Sequence, residues 1–171
     1  MWSAPLRKLW EMERMSTHSE KAVALFKQGY NCAQAVFAAF CDVTGLPEQT
    51  ALKVSASFGG GVAHMREVCG AVSGMCMVTG MLYGFDDPKN PSAKTEHYKL
   101  VQKLIGQFRE QNGSIVCREL LGLAPEFRSP EPLTQEQKQK APHSCANMIA
   151  GAAEILDEFL ENQNKASHSG S

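Results

Sequence analysis

The 171-residue chain contains no CxxC pair, no CxxCH and no HExxH, so the compact signatures of familiar zinc sites and of covalent haem are missing. It has no GxGxxG or GxxxxGK either, which removes the usual fingerprints for nucleotide phosphates. No long run of lysine or arginine occurs and the net charge is -1, so nothing marks nucleic acid as a partner. No stretch alternates apolar and polar residues as a half-buried strand would, and no repeat of roughly 20 to 50 residues is evident. Residues 1–14 include Arg7, Lys8 and Trp10 but lack the apolar core and small-residue cleavage site of a secretory leader. A cytoplasmic location is therefore expected.

What the chain does have is concentrated in residues 57–84, SFGGGVAHMREVCGAVSGMCMVTGMLYG. Three consecutive glycines, Gly59, Gly60 and Gly61, lead into residues 68–85, which carry no charge. That run approaches the lower length of a membrane span, but four glycines, a serine and a threonine make it weakly apolar. It is read as a buried helix, and no membrane partner is expected. An interior glycine costs a helix roughly 1 kcal/mol relative to alanine, yet Gly70, Gly74, Gly80 and Gly84 are spread through it. At about 100° per residue they share an arc of roughly 120°, a face suited to close backbone approach by another helix or by a second copy in a homodimer.

The length suits one domain with a sizeable core. Ser19 predicts a helix cap, with the helix running to about Gln28 before Gly29. Asn31 caps a second helix to about Thr44, stopped by Gly45, in which Cys32, Ala35, Val36, Ala39 and Phe40 form one stripe. Pro47 opens a further helix through about Ser57. Residues 86–92 read as a linker and residues 93–112 as an amphipathic helix. Ser114 caps a short helix, SIVCRELLG; residues 124–142 are a polar excursion, a lid or a plain loop; and Ser144 caps a last helix to about Asn162. The fold expected is all-α: residues 1–16 a lead-in, 17–163 a single-domain bundle of five to seven helices around a central glycine-rich helix, and 164–171 a flexible tail.

Six cysteines in a reducing compartment argue against a permanent disulfide frame. Cys32, Cys117 and Cys145 each fall in the first turn of a predicted helix, and Cys69 falls at the start of the glycine-rich one. Unpaired N–H groups and partial positive charge at a helix start favour thiolate over thiol. Cys41 points about 180° away from Cys32 and is read as a bystander. Cys76 is two turns from Cys69, about 10 Å along the axis, beyond disulfide reach within one helix.

The hexapeptide CGAVSG, residues 69–74, resembles the CGAxxG signature of the C_GCAxxG_C_C family of redox-active proteins. The other cysteines of that pattern fall on Cys32 in NCAQAV, Cys117 in VCRELLG and Cys145 in SCANMIAGAAE, so the likeness extends from about Ser19 to about Leu160; Cys41 and Cys76 are additional. The resemblance implies a redox protein whose four shared cysteines are its working groups.

If those helix starts converge they would enclose an electropositive pocket holding up to four sulfurs. Such a pocket suits thiol–disulfide exchange or electron transfer with a redox partner protein or a small thiol. It equally suits zinc or an iron–sulfur cluster as cofactor, and a purely structural role for the sulfurs is a third reading. Cys69 is expected to be the primary thiolate, having both the glycine loop and a helix start, with Arg66 and Glu67 tuning its charge. His64 and His143 are candidate general bases or ligands. Gly59 to Gly61 either cradle an anion or let helices pack closely. Met65, Met75, Met77 and Met81 are read as core filling.

Overall fold

A computed structural model describes residues 17–169; the lead-in 1–16 and the end of the tail lie outside the described residues. The described chain forms α1 (Thr17–Lys27), α2 (Cys32–Ala39), α3 (Cys41–Thr44), α4 (Glu48–Ser55), α5 (Gly70–Tyr83), α6 (Pro91–Asn112), α7 (Cys117–Leu120), α8 (Gln135–Lys140) and α9 (Cys145–His168). No strand occurs among the described residues, so the all-α expectation holds. None of these helices is long and apolar enough to cross a membrane.

Local chemistry explains most boundaries. Asn31 caps α2 through a reciprocal box: its side chain accepts the Gln34 N–H at 3.0 Å, and the Gln34 side chain accepts the Asn31 N–H at 3.0 Å. The helix expected to reach Thr44 instead breaks at the buried Phe40, whose ring stacks 4.2 Å from His18 of α1. The break places Asp42 2.9 Å from His18 Nε2, while Nδ1 of the same ring lies 2.6 Å from Asp157 of α9. Gly45, at φ +71°, then ends α3. Helix α6 begins at Pro91, earlier than expected, because Asn90 accepts the Ala93 N–H at 3.0 Å and proline suits the first position. Helix α9 passes the expected end at Asn162 and continues to His168, since no glycine or proline interrupts residues 163–168.

Two caps are corrected. Ser19 is not at a helix boundary; it is buried inside α1 and its hydroxyl donates to the Ala150 carbonyl of α9 at 3.4 Å. Ser114 does not cap α7, which starts only at Cys117, because Val116 is held extended in a bridge to Val68; its Oγ accepts the Val116 N–H at 3.0 Å.

The core joins Val36, Phe37 and Phe40 of α2 and its break to Val72 and Met75 of α5, Leu104 and Phe108 of α6, and Ile149 and Leu156 of α9. The glycine face of α5 is used only in its first half. A Cβ added at Gly70 would stand 2.9 Å from Cys32 Cβ, and one at Gly74 would stand 2.8 Å from Val36 Cβ and 2.9 Å from the Ala33 carbonyl oxygen. Helices α2 and α5 therefore run side by side in the same direction with their backbones touching, so at Gly70 and Gly74 the close approach is made by another helix of the same chain. Gly80 has nothing within 4 Å, and Gly84 is the residue that ends the helix. Of the four methionines read as core filling, Met75 is buried and Met77 partly so, whereas Met65 and Met81 are exposed.

Candidate functional site

The loop between α4 and α5 has an uncommon backbone. Gly60, Gly61, Val62, Ala63 and His64 follow one another at φ 64°, 69°, 64°, 48° and 61°, and Arg66 stands at 62°. Left-handed backbone costs an L-residue roughly 1–2 kcal/mol, so its four non-glycine residues together cost on the order of 4–8 kcal/mol. The turn is held by the Ala63 N–H to Ser57 at 2.8 Å, Arg66 to Gly60 at 3.0 Å and Glu67 to Gly61 at 3.0 Å. Its glycines admit neighbours. A Cβ at Gly59 would overlap the Asn31 side chain at 2.5 Å, and one at Gly61 would reach Cys117 Cβ at 2.7 Å. These contacts fit the close-packing reading of the three glycines: the loop draws the starts of α2 and α7 onto itself.

Beyond the loop, Val68 forms an antiparallel bridge with Val116. The Cys69 N–H donates to Ile115 at 2.8 Å and the Cys117 N–H to Glu67 at 2.6 Å, clamping two cysteine-bearing segments together. Arg118 tightens the clamp by donating Nη1–H to the Arg66 carbonyl at 2.9 Å.

The result is a cavity of about 550 Å³ walled by Cys32, Cys69, Cys117 and Cys145 together with Arg66 and Lys138. Cys32, Cys117 and Cys145 are the first residues of α2, α7 and α9, and Cys69 is the residue preceding α5. All four predicted site cysteines thus meet, and Cys41 and Cys76 stand outside the cavity. All six are free thiols. Among the described residues no aspartate or glutamate lines the space, while His64 and His143 do. The polar excursion closes one side through Pro132 and Leu133. It is tied down where His64 Nδ1–H donates to the Pro130 carbonyl at 2.7 Å and where Arg128 pairs with Glu67 at 2.8 Å.

The four sulfurs are not alike. Cys145 is pulled down to about 7, first by the hydrogen bond from the Cys32 thiol and then by the charges of Arg66 and Lys138, against the effect of burial. Cys32 is held well above the ordinary thiol value because it supplies that hydrogen bond and is itself buried. Burial pushes Cys69 up to about 12, although the N–H groups of Ala71 and Val72 pull the other way. Cys117 is also raised by burial, opposed by Arg66, whose Nη1–H donates to its Sγ at 3.9 Å. Two expectations change accordingly. A helix start alone does not activate each thiol: burial raises Cys69 and Cys117, the hydrogen bond given to Cys145 and then burial raise Cys32, and of the four only Cys145 is lowered, whereas Cys69, the expected thiolate, is raised. Glu67 turns to Arg118 and Arg128, whose hydrogen bonds and charges lower its carboxyl, while Arg66 faces the sulfurs.

Sequence reading missed Lys138, which sits on α8 within an excursion whose composition carries no site signal. Among the described residues no group of three or more His, Cys, Asp or Glu side chains is arranged to hold a metal ion, so the sulfurs as placed do not make the ligand set that zinc or an iron–sulfur cluster would need.

A family profile described as "Putative redox-active protein (C_GCAxxG_C_C)" matches residues 30–159, a span that includes every cavity cysteine. The chain belongs to this family. In this C_GCAxxG_C_C protein the four cysteines read from the sequence as matching the family pattern are those that line the cavity, and Cys41 and Cys76 are left out. No curated protein and no solved structure matches the chain.

Proposed function

We propose that the protein carries out thiol–disulfide exchange, with Cys145 as attacking thiolate and Cys32 as resolving thiol. The observation that carries this reading is the meeting of Cys32 and Cys145 at one cavity with Arg66 and Lys138, where the Cys32 thiol and these cations lower Cys145 to about 7. Cys145 Sγ attacks one sulfur of a disulfide, forming a mixed disulfide and expelling one thiolate, which takes up a proton. Cys32, losing its proton, then attacks Cys145 Sγ and expels the second thiolate, leaving a Cys32–Cys145 disulfide. One disulfide is reduced to two thiols and two protein thiols are oxidised to one disulfide. A dithiol reductant or redox partner protein restores the starting state by the reverse exchange.

Cys69 and Cys117, more deeply buried, stand diagonally across the Val68–Val116 bridge, Cys69 opposite Ile115 and Cys117 opposite Glu67, and in this scheme they stay thiols beside the working pair. The glycine-rich helix α5 acts as the post against which Cys32 and Cys69 are set, through Gly70 on Cys32 and Cys69 at its head. Six free thiols and a working cycle that needs a reductant fit a cytoplasmic setting. Peptide mapping after brief exposure to a small disulfide tests the scheme. The expected product is a Cys32–Cys145 bond, lost in Cys145→Ser; oxidation confined to Cys41 or Cys76 would reject it.

A further inference from the structure

Arg66 is the least ordinary group in the cavity. It is 4% exposed, yet among the described residues its Nε–H has no hydrogen-bond partner and its guanidinium reaches only the Cys117 sulfur, at 3.9 Å. Sulfur is a weak acceptor, and a buried charge without a matched partner is costly. The neighbouring carboxylate of Glu67 is engaged by Arg118 and Arg128, and among the described residues no acidic side chain lines the space. The backbone leaves Arg66 little choice: its N–H is held by Gly60 at 3.0 Å, and its carbonyl by the Arg118 N–H at 3.2 Å and Nη1–H at 2.9 Å. A bidentate donor is thus fixed beside the sulfurs with room in front of it, and Lys138 adds a second cation at the same cavity.

Size narrows the occupant. The cavity of about 550 Å³ lies in the range of small-molecule pockets, and the excursion tied down at Pro130 and Arg128 walls one side of it.

Building on the exchange reading above, we propose that the site's substrate is a small disulfide whose arms carry carboxylates, with one carboxylate seated on Arg66 and Lys138 while its S–S bond meets Cys145. The chemistry is the exchange already written; the inference adds what holds the substrate and why a small anionic one is chosen. Apolar side chains lining the same cavity, Phe26, Tyr30, Leu121 and Leu133, would receive the methylene portion of each arm.

The test compares three symmetric disulfides of similar size: dithiodipropionate, which is dianionic; bis(hydroxyethyl) disulfide, which is neutral; and cystamine, which is dicationic. Formation of the Cys32–Cys145 bond in the full chain is timed at fixed pH and ionic strength. Each rate is divided by that of the same probe with free mercaptoethanol, because leaving-group acidity alone alters exchange. The expected order is anion, neutral, cation, with at least about tenfold between the extremes. Lys138→Glu, an exposed change that leaves the four cysteines in place, should narrow that ratio at least threefold. As an independent readout, adipate, which has the two carboxylates without sulfur, should slow iodoacetamide labelling of Cys145 in the native protein and lose that effect in Arg66→Gln. Equal normalised rates, or cystamine fastest, with the pair still oxidised would overturn the substrate class and leave the exchange reading standing. If no probe yields the Cys32–Cys145 bond, the exchange reading fails and the substrate class falls with it.

Discussion

Cys145 should be the fastest cysteine to alkylate at neutral pH, and the margin can be worked out. An ordinary thiol at 9.0 is about one-hundredth thiolate at pH 7, whereas one at about 7 is about half thiolate, roughly a fiftyfold gain in the reactive form. Lower basicity weakens the nucleophile with a slope of about 0.4–0.5; over two pH units that returns about six- to tenfold. The net advantage over a free thiol is therefore roughly five- to eightfold at pH 7. The thiol is depressed, so the reactive form is present above pH 7 and lost as pH falls through it. Pulsed iodoacetamide labelling from pH 5.5 to 10, read cysteine by cysteine by peptide mass spectrometry, should give a Cys145 midpoint near 7. Cys69 should stay unlabelled until well above pH 9. Cys32→Ala, which removes the largest cause of the depression, should move the midpoint up towards 9, and Lys138→Ala should move it less. A Cys145 midpoint at 9 in the wild type, or Cys69 labelling first, would refute the reasoning.

Other substitutions probe the frame. Gly74→Ala would push a methyl to 2.8 Å from Val36 Cβ and 2.9 Å from a backbone oxygen, a loss of about 1–3 kcal/mol. Gly80→Ala meets nothing within 4 Å and should gain up to about 1 kcal/mol of helix propensity; urea midpoints shifting in the same direction would contradict the packing described. His18→Ala leaves the largely buried Asp157 carboxylate without its 2.6 Å partner and should cost about 1–3 kcal/mol by the same assay. At alkaline pH the unfolded chain releases the Cys69 proton near 9.0 while the folded chain keeps it to about 12, so stability is full below pH 9 and declines as pH rises through that interval. Cys69→Ala should flatten part of that decline; an unchanged slope would show that Cys69 ionises normally in the fold.

The parts of this protein legible in its sequence are those governed by neighbours in the chain. Asn31, Gly45 and Gly113 act within a few residues and mark the start at Cys32 and the helix ends as expected, whereas Asn90 with Pro91, read as part of a linker, starts α6 two residues early. The four cysteines were legible as a set because each sits at a helix start. What was hidden depends on distant partners. Ser114 looks like a cap until Val68 takes Val116 into a bridge, and residues 62–66 carry no mark of left-handed backbone because three of those residue types seldom adopt it. Which sulfur is lowered turns on burial and on the Cys32 thiol, more than a hundred positions from Cys145, so no local pattern could separate Cys145 from Cys69.

Cys32 opens the second helix and Cys145 opens the last, and the sulfur contact between them spans most of the domain's length. A bond there would close a ring of roughly a hundred residues, enough in chain-entropy terms to stabilise the fold by about 4–5 kcal/mol. Oxidation would then act as a clasp on the whole molecule, and the oxidised protein should resist proteases and denaturants far longer than the reduced one. The redox state of a single pair would be readable as the lifetime of the folded chain.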